Sequence, residues 1–104
     1  MAGKTLRHRD LAPAHPGAYL REIVLPDFQM SVQDVAARLL VTRQNLYRLI
    51  NEKIAVSPEM ALRLSRFVGN SPEHWLNMQQ AYDLWHAERA LREKIARIRP
   101  AKAA

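Results

Sequence analysis

The sequence predicts an all-α domain of five helices, and three observations carry that prediction. Apolar residues recur at intervals of three and four along most of the chain, the period of helices with one buried face. Ser31, Thr42, Ser57 and Ser71 each stand just ahead of such a stripe, where a hydroxyl oxygen accepts from the free N–H groups of a first turn. Pro16, Pro58 and Pro72 follow as first helical residues, where a missing N–H costs nothing.

The first helix begins near His15-Pro16-Gly17, buries Tyr19, Leu20, Ile23 and Val24, and is ended by Pro26. The second opens on Ser31, with Asp34 three residues on, close to a capping box. Its stripe is Val32, Val35, Ala36 and Leu39. After a joint of a few residues Thr42 caps a third helix that buries Leu46, Leu49 and Ile50. Arg43, Gln44, Tyr47, Arg48 and Asn51 are left facing outward. The joint holds Leu40 where such turns often carry Gly, so Leu40 either takes a strained conformation or closes the turn in another way.

Ser57-Pro58-Glu59 opens the fourth helix, with Met60, Leu64, Phe67 and Val68 inward and Gly69 placed for a left-handed end. The same start recurs at Ser71-Pro72-Glu73. A long last helix, 71–99, is stopped by Pro100. Its first stripe, Trp75, Met78, Tyr82 and Trp85, is bulky and fit for a core or a partner; its second is Leu84, Leu91, Ile95 and Ile98, at heptad-like spacing. The second stripe predicts either a helix folded back on its own bundle or a contact with a second copy. Residues 1–14 read as a flexible basic arm, 15–99 as the domain with the helix pair at 31–51, and 100–104 as a disordered tail.

Sixteen Lys and Arg against ten Asp and Glu leave a net charge of +6, which suits a polyanionic partner. The charge is unevenly placed: +2 over residues 31–56, zero over 57–80 and +3 over 81–104. Cysteine is absent, which excludes disulfides and thiolate metal sites. No apolar run approaches a membrane span and the N-terminus lacks the apolar core of a signal peptide, so a soluble cytoplasmic protein is expected. The four histidines fall at no metal-ligand spacing, the three glycines form no phosphate loop, and Glu22 and Glu88 read as solvated helix-face residues. No catalytic set, metal or cofactor is predicted.

A polar face on an amphipathic helix is ordinarily just solvated. Here two short capped helices meet at a tight joint, and the second shows Arg, Gln and Asn outward. Those side chains make paired hydrogen bonds to guanine and adenine edges in the major groove, as a helix-turn-helix presents them. Asn51 and Lys53, at the far end, reach phosphates.

These residues resemble the HigA group of antitoxins, within the broader XRE/Cro–C1-type helix-turn-helix class. The likeness is carried by His15-Pro16-Gly17 with Leu20-Arg21-Glu22, by the helix pair with Val35-Ala36 and Val41, and by the block from Val56 to Trp85. Within that block S-P-E-M-A-L-R-L-S, S-P-E-H-W-L-N-M-Q and A-Y-D-L-W are the specific part. The likeness spans about residues 15–86. It implies a lambda-repressor-like bundle and a dimeric autorepressor that binds a palindromic operator on double-stranded DNA and neutralises a RelE-like mRNA-cleaving toxin. By position in the motif, Arg43, Gln44 and Tyr47 face bases, while Thr42, Arg48, Asn51 and Lys53 lie near the backbone. Trp75, Tyr82, Trp85, Leu91 and Ile95 are the residues expected to contact a second copy or a partner. Leu40 and Glu52 stand where the family usually has Gly. Two alternatives remain open on sequence: a lone regulator without a toxin, and an interaction module in which the helix-turn-helix is only a scaffold.

Overall fold

The computed structural model describes residues 11–102. The basic arm expected at 1–14 lies mostly outside that range, as does the last part of the tail. Among the described residues every regular element is helical. We number six helices. Helix α1 is a continuous run of three pieces: α-helical Pro16–Tyr19, a π turn Leu20–Val24, and α-helical Leu25–Phe28. Then come α2 (Val32–Leu39), α3 (Arg43–Ile50), α4 (Pro58–Val68), α5 (Pro72–Ala90) and α6 (Arg92–Ala96).

The capping residues sit where the sequence placed them. The hydroxyls of Ser31, Thr42, Ser57 and Ser71 accept from the N–H groups of Asp34, Asn45, Met60 and His74, at 3.0 to 3.1 Å. Gly69 closes α4 at φ +98°. One core joins the helices: Leu20, Val35, Leu46, Leu49, Leu64 and Trp75 are fully buried. Helix α3 packs between α2 and the start of α1, and α4 packs along α5. The start of α1 lies so close to α3 that a Cβ on Gly17 would come within 1.8 Å of the Leu49 carbonyl oxygen. That closeness explains a glycine inside a helix, where it otherwise weakens the element.

Three expectations are corrected. Pro26 does not end the first helix. The Leu25 N–H reaches back to the Leu20 carbonyl, one residue further than in an α-helix. The widened turn relieves the clash a proline ring makes with the carbonyl four residues earlier. The helix runs to Phe28 and ends at Gln29, in the left-handed region at φ 51°. The same π turn rotates Ile23 outward to 57% exposure, so it does not join Leu20 and Val24 in the core.

The last helix does not run unbroken to Arg99. It stops at Ala90, bends at Leu91 (φ −110°, ψ 10°) and resumes only for Arg92–Ala96. Every residue from 86 to 102 is exposed. With no covered face, local hydrogen bonds alone hold this stretch, and short helices are marginal on those terms. Of the two possibilities left open for the second stripe, folding back on the bundle is therefore absent: Leu84, Leu91, Ile95 and Ile98 are 41–67% exposed.

Trp75 is the third correction. It is 0% exposed, central to the core, with its indole N–H donating to Asn70 Oδ1 at 2.8 Å. A side chain with no exposed surface does not contact a partner. Its role is to join α5 to α1, where its ring meets Tyr19 edge-on at 5.6 Å.

Candidate nucleic-acid interface

Helix α3 turns one face inward and projects the other. Leu46, Leu49 and Ile50 are buried, while Arg43, Gln44, Tyr47, Arg48 and Asn51 are exposed. The exposed five fall at successive intervals of one, three, one and three residues, a single helical stripe. Thr42 is exposed ahead of it, its Oγ1 engaged by the Asn45 N–H, which leaves its own hydroxyl hydrogen free to donate. Lys53 is exposed just past the far end. Arg43 approaches Gln33 Oε1 at 3.5 Å, a long contact that extends the polar surface onto α2.

A projecting face is presented at one angle only if its helix is held at both ends, and both helices of the pair end alike. After α2 the Leu40 N–H donates to Ala37 and the Val41 N–H to Ala36; after α3 the Glu52 N–H donates to Leu49 and the Lys53 N–H to Arg48. These are paired Schellman closures, which require one left-handed residue. Leu40 and Glu52 occupy those positions, both at φ 62°. Of the two ways open to the joint, Leu40 therefore takes the strained conformation. Neither residue has glycine's freedom there, so each turn stores backbone strain.

An arginine from elsewhere in the bundle braces each turn. Arg63 of α4 donates to the carbonyls of Leu39 (2.9 Å) and Leu40 (3.2 Å) and pairs with Glu59 at 2.9 Å. Arg21 of α1 donates to the Ile50 carbonyl and pairs with Glu22 (2.7 Å) and Glu52 (3.3 Å). The paired carboxylates, Glu22 foremost, hold the Arg21 guanidinium more firmly charged than usual. Cations at helix C-termini also oppose the negative end of the macrodipole. Neither arginine was recognised in the sequence as part of the site. The Glu59–Arg63 spacing of four was visible, but the carbonyls that the two arginines reach lie 23 to 29 residues away in the chain.

His15 adds a third brace. Its Nδ1 accepts from the Gly17 N–H at 2.9 Å, capping α1, and the ring is 4% exposed. It is a buried capping imidazole. Burial lowers its pKa below 6.5, partly offset by Glu52, Asp83 and the Ile54 backbone, with Arg21 adding to the lowering. Tyr82 of α5 meets the ring edge-on at 4.9 Å.

The expected partner-contact residues divide. Trp75 is in the core. Tyr82 and Trp85 are half-buried, with the Arg89 guanidinium 3.5 Å above the Trp85 ring; Leu91 and Ile95 are exposed. Among the described residues no three His, Asp or Glu side chains gather as a metal site would require. No helix among them is long and apolar enough to cross a membrane.

Comparison with known proteins agrees with this geometry. The helix-turn-helix family model matches residues 20–75. Virulence-associated protein I of Dichelobacter nodosus is 37% identical over 79 residues, which cover 76% of this chain and 73% of that protein. Antitoxin HigA-1 of Vibrio cholerae is 30% identical over 95 residues, covering 91% and 90%. The Pseudomonas aeruginosa antitoxin HigA, solved with the higBA promoter, superposes with a TM-score of 0.81 at 33% identity, covering 86% of this chain and 99% of that one. The chain belongs to the helix-turn-helix family of DNA-binding regulators, in the group that holds the HigA antitoxins, and is not an enzyme.

Proposed function

We propose that this protein is a sequence-specific transcriptional autorepressor that doubles as the antitoxin of a toxin–antitoxin pair. The observation that carries the reading is the single projecting stripe of α3, polar throughout and held at both ends by arginine-braced turns. The P. aeruginosa HigA relative, solved on promoter DNA, lends support to placing that stripe in a major groove. Arg43 and Gln44 read base edges, a guanidinium suiting guanine and an amide suiting adenine, and Tyr47 faces the bases beside them. Thr42, Arg48, Asn51 and Lys53 contact the backbone and set the register. No cofactor is needed for this chemistry.

The protein acts as a homodimer on a palindromic operator, with two α3 helices roughly 34 Å apart, one turn of DNA. The uncovered stripe of Leu84, Leu91 and Ile95, flanked by half-buried Tyr82 and Trp85, is the surface that meets the second copy. The toxin is a RelE-like ribonuclease, and the pair works in the cytoplasm, where the DNA is. Binding to the protein's own upstream DNA, measured by fluorescence anisotropy, tests the core of this reading. Arg43→Ala and Gln44→Ala each weaken operator binding roughly 10- to 100-fold, from the ~1–3 kcal/mol of a paired base contact. Binding to unrelated duplex stays as it was. Operator affinity unchanged in both variants removes the reading assignment. Co-expression with the neighbouring small gene tests the antitoxin role: the chain relieves the growth arrest that gene's product causes.

A further inference from the structure

The helix pair at 31–56 carries a local +2, but the rest of the bundle cancels it and the net positive charge of the described residues lies beyond the bundle. Residues 11–88 hold seven Lys and Arg against eight Asp and Glu, a net of −1. Residues 89–102 hold Arg89, Arg92, Lys94, Arg97, Arg99 and Lys102 against Glu93 alone, a net of +5. All fourteen residues are exposed, and no salt bridge among the described residues engages any of the six cations. Helix α5 bends at Leu91 and α6 is short, so the cations are grouped around a bend. Arg89, Arg92, Lys94 and Arg97, with Glu93, line an open hollow of about 580 Å³ there.

A protein that binds a polyanion through a bundle of net −1 gains little from long-range attraction. Non-specific affinity and fast encounter come from the number of phosphates neutralised. We propose that residues 89–102 form a second DNA contact, a sequence-independent grip on phosphates supplementing the base-reading stripe of α3. The chemistry fits a nucleic-acid backbone: the cations are mostly arginines, whose planar fork pairs with phosphate oxygens, and the surface has almost no counter-charge. It makes the bundle the specific element and the end of the chain the adhesive one. This rests on α3 being a DNA interface.

The test is the salt dependence of binding to operator and to unrelated duplex, with the full chain. One variant carries Arg92→Gln, Lys94→Gln, Arg97→Gln and Arg99→Gln; a second carries the three arginines as lysine. Because the substituted side chains are exposed, the far-ultraviolet spectrum and melting curve of both stay as in the parent. In the glutamine variant, log K against log salt is shallower by about 0.9 for each phosphate no longer neutralised, so by about 2 or more per chain. Affinity for both duplexes falls by the same factor, leaving their ratio unchanged. The lysine variant keeps the parent slope. An unchanged slope in the glutamine variant overturns the proposal. So does a weakening confined to the operator, which would mean the segment acts through the reading helix. Unchanged DNA binding with capture of the co-expressed toxin abolished would assign the cations to a protein partner instead, and also overturns it. A parent chain that fails to bind its operator at all defeats the α3 reading first, and is recognised before any variant is compared.

Discussion

The bundle of residues 15–79 and the segment beyond His86 are both helical, yet they are built on opposite terms. In the first, each helix has a covered face: α3 lies against α1 and α2, and Trp75 seals α5 to the rest. In the second every side chain is exposed and the helix breaks within a turn or so of leaving the bundle. Shape in the first is held by burial, so its side chains are fixed in place; in the second it is held only locally. That difference suits the roles proposed for them. Reading base edges needs a helix at a fixed angle, whereas gripping phosphates or meeting a second copy tolerates a pliant one.

Substitutions sharpen this contrast, beginning with the largest. Trp75→Ala costs about 4 kcal/mol, the effect of removing a fully buried aromatic ring. Ile95→Ala costs under about 0.5 kcal/mol when the chain is dilute enough to be monomeric. Urea unfolding measures both, and a similar destabilisation at the two sites would dissolve the distinction. Gly17→Ala comes next, at about 3 kcal/mol, because its Cβ meets the Leu49 carbonyl rather than a yielding side chain. Operator affinity falls with it, since the same close approach sets the angle of α3.

The two strained turns separate by a smaller margin. Leu40→Gly stabilises by about 1 kcal/mol, relieving a left-handed residue that is 79% exposed and gives up little packing. Glu52→Gly gains less, because it also removes a carboxylate from Arg21. Equal rises in melting temperature would show that the Glu52–Arg21 pair contributes nothing. The smallest effect is a pH slope. Burial holds His15 neutral in the folded state, so below about pH 6.5 the unfolded chain takes up a proton that the folded chain refuses. Stability is full above that pH and declines as pH falls toward the lower folded pKa. His15→Asn keeps an acceptor for the Gly17 N–H and flattens that part of the profile. An unaltered profile would place the slope on another group.

Most of the projecting stripe of α3 was legible in the sequence. Caps at Ser31 and Thr42, the apolar spacing of Leu46, Leu49 and Ile50, and the polar residues between them are all local patterns of one or two turns. The resemblance of the 56–85 block pointed to the family for the same reason, being written in contiguous residues. What braces the stripe was not legible: Arg21 and Arg63 act on carbonyls far away in the chain, and nothing in their local setting marks them.

Taken alone, the sequence determined where the helices start, which residues α3 turns outward and where the positive charge lies. Those features depend on neighbours a few residues apart, through hydrogen bonds to free N–H groups and the helical period. Only the tertiary structure decided that Trp75 is core, that the first helix passes through Pro26 on a π turn, and that Leu40 and Glu52 are left-handed. It also decided that the last helix breaks at Leu91. Each depends on whether another element arrives to cover a face or take up a carbonyl. That is a question of packing, which local periodicity does not answer.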